Sequence, residues 1–185
     1  MRNALNALYK AATVLAAFCL VTIALLVTLQ VMGRLLDGAR SLAGLDPWGL
    51  LIPSLAEIAG FFLVGASFLA LAGTLRQGDH IRVSILLQTV SPAIGRVLNI
   101  WCLAVAFGLA SFFSWHAVAL VLDSYRFNEV SFGIIPVPLM YPQAVMTLGL
   151  IVLAIALLDD LVTALRGKAP SFETVVRDDP IEGSE

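Results

Sequence analysis

The sequence predicts an all-α integral membrane protein with four transmembrane helices. Three observations carry that reading. The 185-residue chain is 59% hydrophobic and 13% charged, whereas a soluble domain averages about 25% charged residues. Residues 11–33, 58–75, 97–122 and 130–158 contain no Asp, Glu, Lys or Arg, and each run is long enough to cross a hydrocarbon core of about 30 Å as a helix. The cations alternate in density between the segments that separate these runs, as the positive-inside rule requires of a polytopic protein.

The first helix is expected over residues 9–33. Arg2 and Lys10 before an apolar run resemble a signal peptide, but the run is longer than a usual signal core and ends at Gly33-Arg34 without a cleavage pattern. It reads as a retained helix. The next segment, LLDGARSLAGLDPWGLLIPSLAE, is more apolar than a free loop. Its two prolines, three glycines and Trp48 suggest a segment lying on or dipping into the outer interface, with an in-plane helix expected there.

The second helix is expected over residues 55–75, with Glu57 in its first turn, where the helix dipole favours an anion. Ala56 and Gly60 form a small-x-x-x-small pair, a weak signal for close helix approach in lipid. The loop after it contains HIRVSILLQTV, in which Val83, Leu86, Leu87 and Val90 fall on one helical face. A short in-plane helix on the inner membrane surface follows, with Pro92 as its end.

The third helix is expected over 95–122, with Trp101 and Trp115 near opposite ends as interfacial belts place them. Ala106, Ala110 and Ser114 give a second small series, and Cys19 and Cys102 read as two buried structural thiols without a C-x-x-C motif. The fourth helix is expected over 140–162. Residues 1–165 thus form one membrane domain, and the polar residues 166–185 a flexible cytoplasmic tail.

Four crossings put both termini on one side. That side carries Arg2, Lys10, Arg76, Arg82, Arg96, Arg166, Lys168 and Arg177, against Arg34, Arg40 and Arg126 on the other. The bias places both termini in the cytoplasm.

The polar residues near the runs need partners. Arg34 ends the first helix and Glu57 begins the second on the same side, so an ion pair between them would relieve the cost of charge near hydrocarbon. The alternative is that Glu57 binds a proton or cation. His116 stands alone near the outer end of the third helix, a setting in which a hydrogen bond to a neighbour is commoner than ligation. Adjacent Asp159 and Asp160 do not form the two-helix carboxylate pair of an intramembrane protease, and H-E-x-x-H and G-x-S-x-G are missing. No catalytic residue, metal site, cofactor or nucleic-acid surface is indicated.

Taken together, these polar positions resemble a known family. The first helix ends in LQVMGR, with Gln30 and Arg34. The second opens on the Glu57 of AEIAGFFLVGASFLA, with Gly60 and Gly65, and leads into LRQGDHIRVSIL, with Arg76, Gly78 and His80. Late in the chain come Pro138, Tyr141 and Pro142, then Gly149. This order is similar to the small, DctQ-type membrane subunit of tripartite ATP-independent periplasmic (TRAP) transporters, over about residues 8–165. Met140 stands where a Trp is common in that family and Thr147 where a Pro is common, so the last helix is expected to start differently.

The resemblance implies a multi-pass protein of the bacterial inner membrane. Its implied partners are the lipid bilayer, a large membrane subunit that carries substrate and sodium, and a periplasmic protein that captures an organic acid. It further implies a scaffold role, with the quoted residues as structural or partner contacts. The competing reading is an autonomous homo-oligomeric transporter with Glu57 as its coupling carboxylate.

Overall fold

A computed structural model describes residues 2–49, 51–77 and 92–167 of the chain. It contains four helices: α1 (Arg2–Leu42), α2 (Leu55–Gln77), α3 (Pro92–Arg126) and α4 (Met140–Leu165). All four are long and apolar enough to span a membrane. The in-plane helix expected on the inner loop and the tail after Gly167 lie outside the described residues.

All four helices pass an end of their uncharged runs, and α1 does so by most. α1 passes Arg34 and continues to Leu42, so it is about 61 Å long at 1.5 Å per residue, twice a hydrocarbon core. RLLDGARSL contains good helix formers and no proline. The helix stops at Gly44, whose φ of 71° is the left-handed conformation glycine adopts cheaply. The Gly44 amide donates to Ser41 O at 3.1 Å and the Leu45 amide to Arg40 O at 2.9 Å, the paired bonds of a Schellman stop. The described part of the segment between α1 and α2 therefore holds no separate in-plane helix, contrary to expectation, because its first residues are still α1. Pro92 opens α3, a position where its missing N–H costs nothing.

The helices form a row rather than a closed bundle. α2 packs on α1 and on α4, α4 packs on α3, and α1 only brushes α4. The inner members of the row, α2 and α4, have 33% and 39% of their most apolar windows buried, whereas α1 and α3 have 11% each. The core follows the row: Tyr9, Ala12 and Ala16 of α1 meet Leu69, Ala72 and Leu75 of α2, and Val152 and Ala156 of α4 continue it. Small side chains let the backbones approach, which is how helices associate in lipid without a hydrophobic driving force.

α2 and α4 meet backbone to backbone. A Cβ on Gly149 would lie 2.6 Å from both the carbonyl carbon and the oxygen of Phe68. Gly65 sits against Cys19 and Val145, and Gly73 against Thr13. Gly60 faces open space, so the small pair formed with Ala56 does not mark a contact within the chain.

Candidate functional site

The charged side chains gather at the two ends of the row. At one end, called here the loop end, two connections meet: the segment after α1 and residues 127–139 between α3 and α4. The first is tied down by side chains of α1. The Asp37 carboxylate accepts from the Trp48 amide at 2.7 Å and the Gly49 amide at 3.1 Å. Arg40 donates to Asp46 O at 2.9 Å and lies 4.7 Å over the Trp48 ring. Gln30 accepts from the Ile52 amide at 2.8 Å. Replacing Asp37 with Ala should therefore free this segment alone. Hydrogen exchange at the Trp48 and Gly49 amides is expected to accelerate at least tenfold, with exchange within α2 and α4 unchanged.

The second connection is a short hairpin with a Val130–Pro138 bridge. The Ser131 amide donates to Val137 O at 2.9 Å and the Leu139 amide to Glu129 O at 3.0 Å. Ser124, at the end of α3, donates to Glu129 Oε2 at 2.6 Å and anchors the base. The hairpin crosses the start of α2, where the Ile135 amide donates to Ser54 Oγ at 3.2 Å.

Glu57 lies beneath that hairpin. Its Oε2 is buried without a hydrogen-bond partner, and the Gly133 Cα covers it so closely that any Cβ there would land on the carboxylate. The expected Arg34–Glu57 pair is not formed. Arg34 is exposed, and the ion pair among the described residues is Arg76 with Asp159. Gln30 and Asp37, on the same face of α1 as Arg34, bond the segment after α1, while Glu57 is covered by the hairpin.

Gly133→Ala should push the hairpin off α2 and cost about 1–3 kcal/mol, the usual range for overpacking. In a Glu57→Ala background the nearest obstruction is gone and Ser54 Oγ, 2.7 Å from the added Cβ, is the one that stays, so the same change should cost less than in the native chain because the two sites are coupled. Thermal unfolding of the detergent-solubilised variants measures both.

At the opposite end, Arg76 joins three helices. It bonds Asn6 Oδ1 on α1, lies 4.5 Å over the ring of buried Tyr9, and meets Asp159 Oδ2 of α4 at 3.5 Å. Among the family-like positions, Gly78 and His80 fall outside the described residues.

Pro138 closes the hairpin, and Pro142 stands in the first turn of α4, where a missing N–H is tolerated. Thr147 lies well inside α4 and bonds back to Gln143 O at 2.8 Å. Tyr141 lines an apolar crevice of about 380 Å³ together with Cys19, Phe61 and Gly65. Cys19 is buried as expected, but Cys102 is exposed because it faces away from α4. His116 is exposed too. It touches the Phe112 ring, centroids 4.4 Å apart, and makes no hydrogen bond among the described residues.

Sequence reasoning passed over Asp37, Ser54 and Gly133 as contact residues. Asp37 carries a legible signal, an acid about two turns before the Schellman glycine. Gly133 carries none, because its neighbour Glu57 is far away in the chain.

These features define a multi-pass membrane protein whose charges fasten helix ends and whose helix faces stay largely bare. The family model for tripartite ATP-independent periplasmic transporters, DctQ component, matches residues 23–167, most of the chain. The protein belongs to that family, and is therefore of the small membrane subunit type of TRAP transporters, a transporter component and not an enzyme family. No curated protein and no solved structure matches it.

Proposed function

We propose that this chain is the scaffold subunit of a TRAP-type secondary transporter in a bacterial inner membrane. It works with a large membrane subunit, which carries an organic acid of the carboxylate class coupled to sodium, and with a periplasmic protein that delivers the acid. Both termini face the cytoplasm, so the loop end faces the periplasm.

The observation that carries the reading is the open row. α1 and α3 leave most of their apolar surface uncovered by the chain itself, so the row is suited to bracing a larger neighbour. The charged groups of the described spans lie near the helix ends, with Arg76, Asp159 and Glu57 in helix-end turns or close to them. Glu57 sits under a hairpin in the first turn of α2, which suits an anchor of the loop end better than a carboxylate cycling between two faces of a membrane.

The test is uptake. A deletion of this chain alone, with the large subunit and binding protein left in place, should abolish sodium-dependent accumulation of the acid that the binding protein captures. Complementation with Glu57→Gln should change the rate but leave the order of preferred acids unaltered. A reordered preference would assign this chain a part in substrate selection and overturn the scaffold role.

A further inference from the structure

One groove among the described residues carries an imidazole without a hydrogen-bond partner. α4 forms its floor with Met146 and Leu150. Phe68 of α2 stands on one side, and Phe113, His116 and Leu120 of α3 stand on the other, around a volume of about 570 Å³. Phe113, His116 and Leu120 follow the i, i+3, i+7 spacing of a single helix face. Every side chain there is apolar except His116.

His116 lies within the uncharged run that ends at residue 122, about 9 Å inside that limit along the helix. Its ring rests on Phe112 and has no hydrogen-bond partner among the described residues. Hydrocarbon offers an imidazole neither donor nor acceptor, and unmet polar groups in lipid are costly. An acyl chain would fit the groove's shape and leave that demand unmet. A helix carrying a hydroxyl, amide or carboxylate side chain meets it, and such cross-helix bonds join helices in membranes.

Two other grooves among the described residues make a weaker demand. In the crevice near Tyr141, Cys19 and the aromatic and aliphatic side chains around it need only apolar contact. On the far side of α3, the groove near Trp115 contains Ser114, whose hydroxyl is satisfied by Ala110 O at 2.7 Å, and Ser111, a hydroxyl that can turn back to a carbonyl of its own helix as an imidazole cannot.

We propose that the α2–α3–α4 groove seats a transmembrane helix of the large membrane subunit, with His116 hydrogen-bonded to a polar side chain of that helix. The proposal rests on the reading of this chain as a subunit of a two-part membrane complex.

The test uses the full chain with its large subunit in native membranes. A photoreactive benzoylphenylalanine replaces Leu120 or Met146 in the groove, or Trp115 or Val118 on the other face. The groove positions should give adducts with the large subunit at least tenfold more abundant than those of the other face. His116→Leu should lower the amount of large subunit retained through detergent purification at least threefold, and His116→Gln should keep it. Size-exclusion profiles of the variants expressed alone report whether each still folds.

Several results overturn the assignment. Adducts from Trp115 or Val118 alone would move the interface to the other face. Adducts of this chain with itself would give the groove to a second copy, and adducts with phospholipid alone would give it to lipid. In each case a large subunit that still co-purifies with the native chain leaves the subunit reading standing. Failure of that co-purification removes the subunit reading and the groove assignment together.

Discussion

Gly149→Leu is expected to abolish the folded state. At Gly149 the fourth helix meets the backbone of the second, and a Cβ would sit 2.6 Å from the carbonyl carbon and oxygen of Phe68. Backbone atoms cannot rotate aside as a side-chain end can. The contact also lies between α2 and α4, which together hold the row in one piece. Even Gly149→Ala must separate the helices and should cost at least the 1–3 kcal/mol typical of an overpacked core. Leucine adds a branched side chain with nowhere to go. Gly108→Ala is the matched control, since a Cβ there meets nothing within 4 Å and alanine favours a helix by about 1 kcal/mol over glycine. Fluorescence-detected size exclusion after a temperature ramp should show Gly149→Leu as aggregate and Gly108→Ala at or above the native midpoint.

Arg76→Ala should destabilise the other end of the row by about 2–3 kcal/mol, the combined scale of one charged hydrogen bond, a cation–π contact and a partly exposed ion pair. The hydrogen bond to Asn6 and the stack on Tyr9 fasten α2 to α1, and the Asp159 contact fastens it to α4. The Asp159 share is the smallest. Arg76 and Asp159 side chains are 24% and 27% exposed and 3.5 Å apart, so solvent screens them and the pair alone is worth no more than about 1 kcal/mol. Asp159→Asn should therefore cost much less than Arg76→Ala, and Arg76→Lys should recover only part of the loss because an ammonium lacks the planar guanidinium that stacks on Tyr9. Equal losses for Arg76→Ala and Asp159→Asn, read by the same thermal assay, would contradict the three-helix joint.

The four spans were legible from the uncharged runs because hydrocarbon admits little else. Their ends were less so. Arg34 marks where the uncharged run stops, and α1 continues past it because helix formation needs neither lipid nor apolarity. The stop at Gly44 could have been found from the glycine and the absence of proline before it, but the charge boundary obscured it. The Arg34–Glu57 pair was inferred from shared depth alone. Shared depth does not bring two side chains into contact: Arg34 is exposed, while its face neighbours Gln30 and Asp37 hold the segment after α1. The covering of Glu57 by Gly133 depends on how a hairpin folds back over a helix end, and no periodicity encodes that. The family resemblance, by contrast, rested on the order of polar residues at helix ends, and the matching family model spans the same ground.

The central claim is that this row braces a larger membrane subunit. Co-purification tests it most directly. The chain, tagged and expressed from its own chromosomal locus, is extracted in mild detergent and its companions are identified and quantified by mass spectrometry. The scaffold role predicts one polytopic membrane protein of about a dozen helices at one-to-one stoichiometry. A stable homo-oligomer without such a companion would contradict it and turn attention to Glu57 as an ion-coupling carboxylate.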